Sequence, residues 1–169
     1  LETIILCIEG WILDIDKLDF FHALCHSFCT IATAGFSTYN SGIAAFDSSV
    51  VTWTIIFFMF LSAINFTLHF LFIIKGNFDY FKNSEFKVYV SLMVMVSLIF
   101  FFNIYRLEIF NNGNLMTIYE KFENSVFYAA SFLTTTGFST VNYMDWGNAS
   151  IIIVFILLFI GGCAGSTTG

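Results

Sequence analysis

"TTTGFST", residues 134–140, follows an aromatic-rich stretch and stands before an apolar run at 149–160. Three consecutive threonines and a glycine interrupt sequence that is otherwise suited to a hydrocarbon environment. The interruption recurs: "TAGFST" at residues 33–38 repeats it at an offset of 102. At that offset Phe20 falls on Phe122, Thr33 on Thr135, Gly35 on Gly137 and Phe36 on Phe138, while Ser37, Thr38 and Asn40 fall on Ser139, Thr140 and Asn142. The order around each copy also repeats, as apolar span, short segment, Gly-Phe stretch and apolar span. This is an internal repeat, and common ancestry of two units explains it.

The surrounding composition sets the solvent. The 169 residues are 58% hydrophobic and 20% aromatic, with only 11% charged, against about 25% in soluble domains. Mean hydropathy is +0.84. A polytopic membrane protein is the expected class. No basic n-region or cleavage site marks a signal peptide, and both ends read as cut, so an internal piece of a longer protein is expected. Cys7, Cys25, Cys29 and Cys163 lie in apolar surroundings without disulfide-framework spacing. The net charge of −6 argues against nucleic-acid binding.

Residues 50–74 hold no Asp, Glu, Lys or Arg, and about 20 such residues cross the hydrocarbon as a helix. A second span is expected over 88–105, starting as early as Phe86 with Lys87 snorkelling at its end. A third begins at 149–160 and meets "GGCAGSTTG", while 1–13 reads as the end of another. Between them, 19–31 and 117–133 read as half-helices, since 12 helical residues reach roughly 18 Å.

Lys75, Lys82 and Lys87 place half of the basic residues in the loop 75–87, which the positive-inside rule makes cytoplasmic. Both Gly-Phe stretches then face outward. Their flanks carry Asp14, Asp16, Asp19, Asp47, Glu108, Glu120, Glu123 and Asp145 against Lys17, Arg106 and Lys121, a balance that concentrates cations.

Irregular backbone at membrane depth must be buried in protein or line a watery path. Carbonyls and Thr hydroxyls suit a dehydrated monovalent cation, because oxygen dipoles replace its water shell. Gly35 and Gly137 permit backbone angles closed to other residues, and a half-helix ending just before the loop aims its negative end there. The seven residues read as an ion filter. A single Thr-Gly-Phe would equally be a turn between helices; two copies in the same setting favour the filter. The chain has no proline, so glycines must break helices. Gly161, Gly162, Gly165 and Gly169 each cost about 1 kcal/mol in a helix interior relative to Ala, and Ser166, Thr167 and Thr168 supply hydroxyls. The residues alone leave two readings of this run, an irregular loop or Gly-x-x-x-Gly helix packing. A Walker loop is excluded for want of a lysine.

His22, Cys25, His26 and Cys29 share one helical face. They are good zinc ligand types, but a straight helix cannot wrap four ligands around one ion, and packing against neighbouring spans is expected instead. Haem ligation would need paired histidines at matching depth, and of His22, His26 and His69 only His69 lies deep in a full span. No Ser/His/Asp arrangement, HExxH motif or intramembrane carboxylate pair is visible, so no enzyme is expected. Asn65 either lines a cavity or bonds a neighbouring helix; helix bonding is favoured.

"TAGFST", "TTTGFST" and "FIGGCAGSTTG" together resemble the Trk/Ktr/HKT potassium transporter superfamily, most closely its bacterial uptake subunits. The resemblance covers essentially the whole chain and implies an all-α integral membrane fold of span, pore helix, filter loop and span, with two of four repeats present around a pseudo-fourfold pore. Residues 1–74 would be the second repeat, 75–87 the cytoplasmic loop, and 88–169 the third repeat as far as its glycine-rich loop. It implies potassium uptake, with potassium as transported substrate, no cofactor and no transition-metal site. Thr33, Ala34, Gly35, Thr135, Thr136 and Gly137 would line the filter, with Phe36 and Phe138 packed behind it. Gly161, Gly162, Gly165, Ser166, Thr167, Thr168 and Gly169 would form a gate beneath. Ala34 departs from the Thr136 of the second copy, which a backbone-carbonyl site tolerates. Expected partners are a second copy in a homodimer, a cytoplasmic nucleotide-binding regulatory subunit of the TrkA type, and membrane lipid, in a bacterial inner membrane. The alternative is another sodium or potassium channel or symporter with tandem pore loops.

Overall fold

The computed structural model describes residues 1–76, 79–107, 110–111 and 114–168. Seven α-helices account for most of them: α1 (Glu2–Ile12), α2 (Phe20–Ile31), α3 (Ser49–Ser62), α4 (Phe66–Lys75), α5 (Ser84–Tyr105), α6 (Ile118–Leu133) and α7 (Asn148–Leu157). A two-residue hairpin, β1 (Phe110–Asn111) with β2 (Asn114–Leu115), precedes α6; it is a minor departure from the all-α expectation.

The half-helices start where their caps dictate. The Asp19 carboxylate accepts the His22 amide ahead of α2. Thr117 and Glu120 form a reciprocal capping box ahead of α6. Helix α5 has 22 residues and is apolar enough to cross a membrane, reaching roughly 33 Å. It packs along α6, which also meets α3; α1 lies on α2 and α3. The core gathers Tyr128, Phe127, Phe100, Trp146 and Phe138, all at most 2% exposed. Val88, Met95 and Phe102 on α5, and Phe155 and Phe159 near the end of the chain, are left bare, a surface suited to lipid or further protein rather than water.

The largest difference from expectation lies in residues 50–74. They do not form one straight span: α3 and α4 meet at 95° across a break at Ala63–Asn65. In an unbroken helix the Phe66 amide would bond the Ser62 carbonyl, and Thr67 that of Ala63. Here the Phe66 amide donates to the Gly165 carbonyl, 3.0 Å, and Thr67 to the Asn65 side chain, 2.8 Å. The freed Ser62 carbonyl accepts from the Thr167 amide and hydroxyl, and the Ala63 carbonyl accepts from the Cys163 amide. These four diverted groups each find a partner, and three of the four partners lie in the glycine-rich segment.

Helix α7 stops at Leu157, three residues short of expectation, because the Phe159 and Ile160 amides turn back to Ile156 and Leu157 in tighter bonds.

Candidate functional site

The two Gly-Phe stretches leave their half-helices in the same way. Ala32 and Thr134 bond back to Phe28 and Ala130, and Thr33 and Thr135 to Thr30 and Phe132, each pair 102 residues apart. Thr33 (φ 48°) and Thr135 (φ 55°) then adopt the left-handed conformation, followed two residues on by Gly35 (φ 68°) and Gly137 (φ 81°). A left-handed threonine is uncommon and strained by about 1–3 kcal/mol. Finding it twice at equivalent positions marks a backbone held in a required shape.

The two stretches also touch. A Cβ on Gly35 would collide with the Thr136 carbonyl oxygen, whereas one on Gly137 would meet open space. Gly35 is thus required by contact and by backbone angle, Gly137 by angle alone. The Ile43 amide donates to the Ser139 carbonyl at 3.0 Å, a second link between the copies. Thr134 and Thr136 share a hydroxyl bond of 2.7 Å and are buried.

Each stretch is braced from its own half-helix, and here the histidines find their use. His26 donates from Nδ1 to the His22 carbonyl, so Nε2 of the neutral ring accepts the Ser37 hydroxyl at 2.9 Å. His22 Nδ1 lies 2.7 Å from the Thr38 hydroxyl. In the second copy Asn124 stands where His22 does and accepts the Thr140 hydroxyl at 2.6 Å. Tyr128 stands where His26 does; its hydroxyl accepts the Thr140 and Val141 amides and donates to the Val141 carbonyl. Different side chains perform one task at equivalent positions. Among the described residues no group of three or more His, Cys, Asp or Glu gathers as a metal site. No sequence motif marks these braces; only the offset of 102 relates His22 to Asn124 and His26 to Tyr128.

Phe138 is 1% exposed and stacks near the His26 ring of the first copy. Phe36, expected to pack in the same manner, is 77% exposed. The reason lies in the sequence of units. Phe138 leans on the copy that precedes it, and the described residues hold no earlier copy for Phe36.

Against the first stretch lies the glycine-rich segment. Gly161 and Gly165 are left-handed, so the run is irregular and Gly-x-x-x-Gly helix packing does not apply. Gly165 sits against the Asn65 side chain and Gly162 against Ala63 and Thr168. Asn65 itself caps α4, its side-chain oxygen accepting the Thr67 amide of its own helix rather than bonding a neighbouring one. Ser166 and Thr168 share a hydroxyl bond, 2.6 Å. The Thr33 hydroxyl donates to the Thr167 carbonyl at 2.9 Å, which joins the segment directly to the first stretch. Gly169 and Glu108 lie outside the described residues, as does the side chain of Asp145.

His69 lies on the bent α4, not deep in a straight span. Its Nε2 donates to the Leu61 carbonyl and its Nδ1 accepts the Tyr80 hydroxyl. Two carboxylates passed unnoticed in the sequence. Glu2 is buried and Glu9 half-buried on one face of α1, with Glu9 accepting the Thr54 hydroxyl. Seven residues, about 10 Å, separate them, too far to share a proton. Of the expected outer acids, Glu123 turns inward to accept the Ser49 hydroxyl and, with Asp47 and Glu120, borders a cleft of about 230 Å³.

An apolar helical chain with irregular, hydroxyl-bearing backbone among its helices has the architecture of an integral membrane protein. Residues 4–169 match the family described as TrkH, cation transport protein, and the chain belongs to that family. The Trk system potassium uptake protein TrkH of Vibrio parahaemolyticus is 34% identical over 99% of this chain and 33% of its own length. The protein of the same name in Escherichia coli K12 is 35% identical over 90% of this chain and 31% of its own. The crystal structure of the potassium transporter TrkH from Vibrio parahaemolyticus superposes with a TM-score of 0.86 at 33% identity, over 99% of this chain and 35% of that one. The chain therefore spans about a third of the relatives it matches.

Proposed function

We propose that this chain forms two adjoining pore-loop units of a potassium uptake protein. The observation that carries the reading is the matched pair of backbones. Thr33 and Gly35 in one copy, and Thr135 and Gly137 in the other, adopt left-handed angles at equivalent positions and abut through Gly35 and the Thr136 carbonyl. Left-handed residues separated by one of ordinary angle keep the stretch out of a helix, so its carbonyls are not consumed by a helical ladder. Carbonyls of Thr33, Ala34, Gly35, Thr135, Thr136 and Gly137 then replace the hydration shell of the ion. The names of the relatives, potassium uptake proteins and a potassium transporter, support potassium as that ion.

The filter stretches face outward and the lysine-bearing loop 75–87 faces the cytoplasm of a bacterial inner membrane. Residues 161–169 form the gate, a reading that the Thr33–Thr167 bond supports. A negative-inside potential drives entry by about 2.3 kcal/mol per charge per 100 mV. Four such units close the pore, with the first and fourth supplied by the rest of the protein. A second copy, a TrkA-type nucleotide-binding subunit and lipid at the bare faces of α5 and α7 complete the assembly.

The test is rubidium and sodium uptake by the full-length protein in cells lacking their own potassium uptake systems. Restored rubidium uptake, with more sodium admitted by Gly137→Ser, supports the filter. A well-expressed protein that moves neither ion with its regulatory subunit present would remove the potassium assignment.

A further inference from the structure

We propose that Glu85 latches the glycine-rich segment in place from the α5 side, an inference that rests on reading that segment as the gate. Glu85 lies in the first turn of α5, beside the lysine-rich loop. Its Oε1 accepts the Ala164 amide at 2.6 Å, across 79 residues of sequence. Ala164 sits in the middle of the segment, next to the left-handed Gly165. Carboxylate-to-amide bonds of this length belong to the strong, charge-assisted kind.

The segment's other anchors lie on other elements, one of them the Thr33 hydroxyl bonded to the Thr167 carbonyl. Cys163, Gly165 and Thr167 all bond the α3–α4 break. Towards α5 the segment borders a cleft of about 330 Å³, lined among others by Val88, Tyr89, Leu92, Gly161 and Gly162. Glu85 reaches Ala164 at the edge of that cleft. Releasing its bond frees the amide and gives the segment room to swing away from the filter. The ordinary role of a first-turn glutamate is to complement the helix N-terminus. That role needs only a negative charge there, not a carboxylate reaching a backbone amide in another element.

The two roles separate by substitution. Glu85→Asp keeps the charge at the helix start but shortens the reach by one carbon–carbon bond, about 1.5 Å. Glu85→Gln keeps the reach with a neutral acceptor, and Glu85→Ala removes both. Full-length protein is reconstituted in vesicles without regulatory subunit or nucleotide. Resting rubidium flux is measured together with the labelling rate of Cys163, which is 4% exposed, by a thiol reagent.

Glu85→Asp and Glu85→Ala should raise resting flux and Cys163 labelling severalfold, Glu85→Gln less, with the rubidium-to-sodium ratio unchanged. Thr167→Val, which removes the hydroxyl bond to Ser62, serves as an independent disturbance of the segment. If it raises flux while the Glu85 variants leave flux and labelling at wild-type levels, the latch is overturned and the gate stands. If Cys163 labels faster in Glu85→Ala yet flux changes in no variant, the gate reading falls and the latch falls with it.

Discussion

At the scale of the residue, glycine does two different jobs at equivalent positions. Gly35 has the Thr136 carbonyl against its Cα, and Gly137 has open space. Gly35→Ser combines a backbone collision with a left-handed serine and is expected to yield poorly folded protein, read as loss of the monodisperse peak in detergent. Gly137→Ser carries only the angular strain, about 1–2 kcal/mol, and should fold while changing the rubidium-to-sodium ratio. Equal tolerance of both would contradict the asymmetry. Tyr128 gives a cleaner case. Tyr128→Phe strands the Thr140 and Val141 amides and should cost about 1–3 kcal/mol, lowering the thermal midpoint of the purified protein. His22 and His26 were visible in the sequence as a polar face, and metal ligation was set aside on helix geometry. Their true partners, Thr38 and Ser37, depend on how the chain folds back, which no helical periodicity reports.

Among the elements, what was legible was local. Both half-helices begin at side-chain caps and end where the Gly-Phe stretches start, and such signals lie within a few residues of the boundaries they set. The α3–α4 break was not legible. Residues 61–66 contain neither glycine nor proline, and an apolar run without breakers reads as one helix. The break persists because Cys163, Gly165 and Thr167, about a hundred residues away, take over its backbone bonds. Asn65 is the one local hint, as the cap of α4. Asn65→Ala should cost about 1 kcal/mol and also loosen the Gly165 contact. Reduced thermal stability with raised resting flux is the expected pair of readings, and an unchanged thermal midpoint would mean that the cap adds nothing.

For the whole molecule, the chain spans about a third of the length of the relatives it matches, and several of its apolar faces are bare. Phe36 is bare where Phe138 is covered, and on the proposed reading of the two stretches as filter, two alone cannot ring an ion. The 169 residues reconstituted alone are expected to carry no rubidium flux; channel activity from them would contradict the four-unit reading. Outside the filter, Asp47 borders the cleft shared with Glu120 and Glu123. Asp47→Asn preserves its left-handed backbone (φ 46°), which asparagine tolerates, but removes a charge. It should weaken rubidium uptake at low ionic strength and converge with wild type in high salt. An effect that persists in high salt would point to a structural role for Asp47.

The central claim is that these two stretches hold the ion with their backbone oxygens. Anomalous diffraction from crystals of the full-length protein grown with thallium, a heavy stand-in for potassium, locates the ion itself. The account predicts a peak within direct coordination distance of the carbonyls of residues 33–35 and 135–137. Thallium found only elsewhere, in a preparation that transports rubidium, would contradict it.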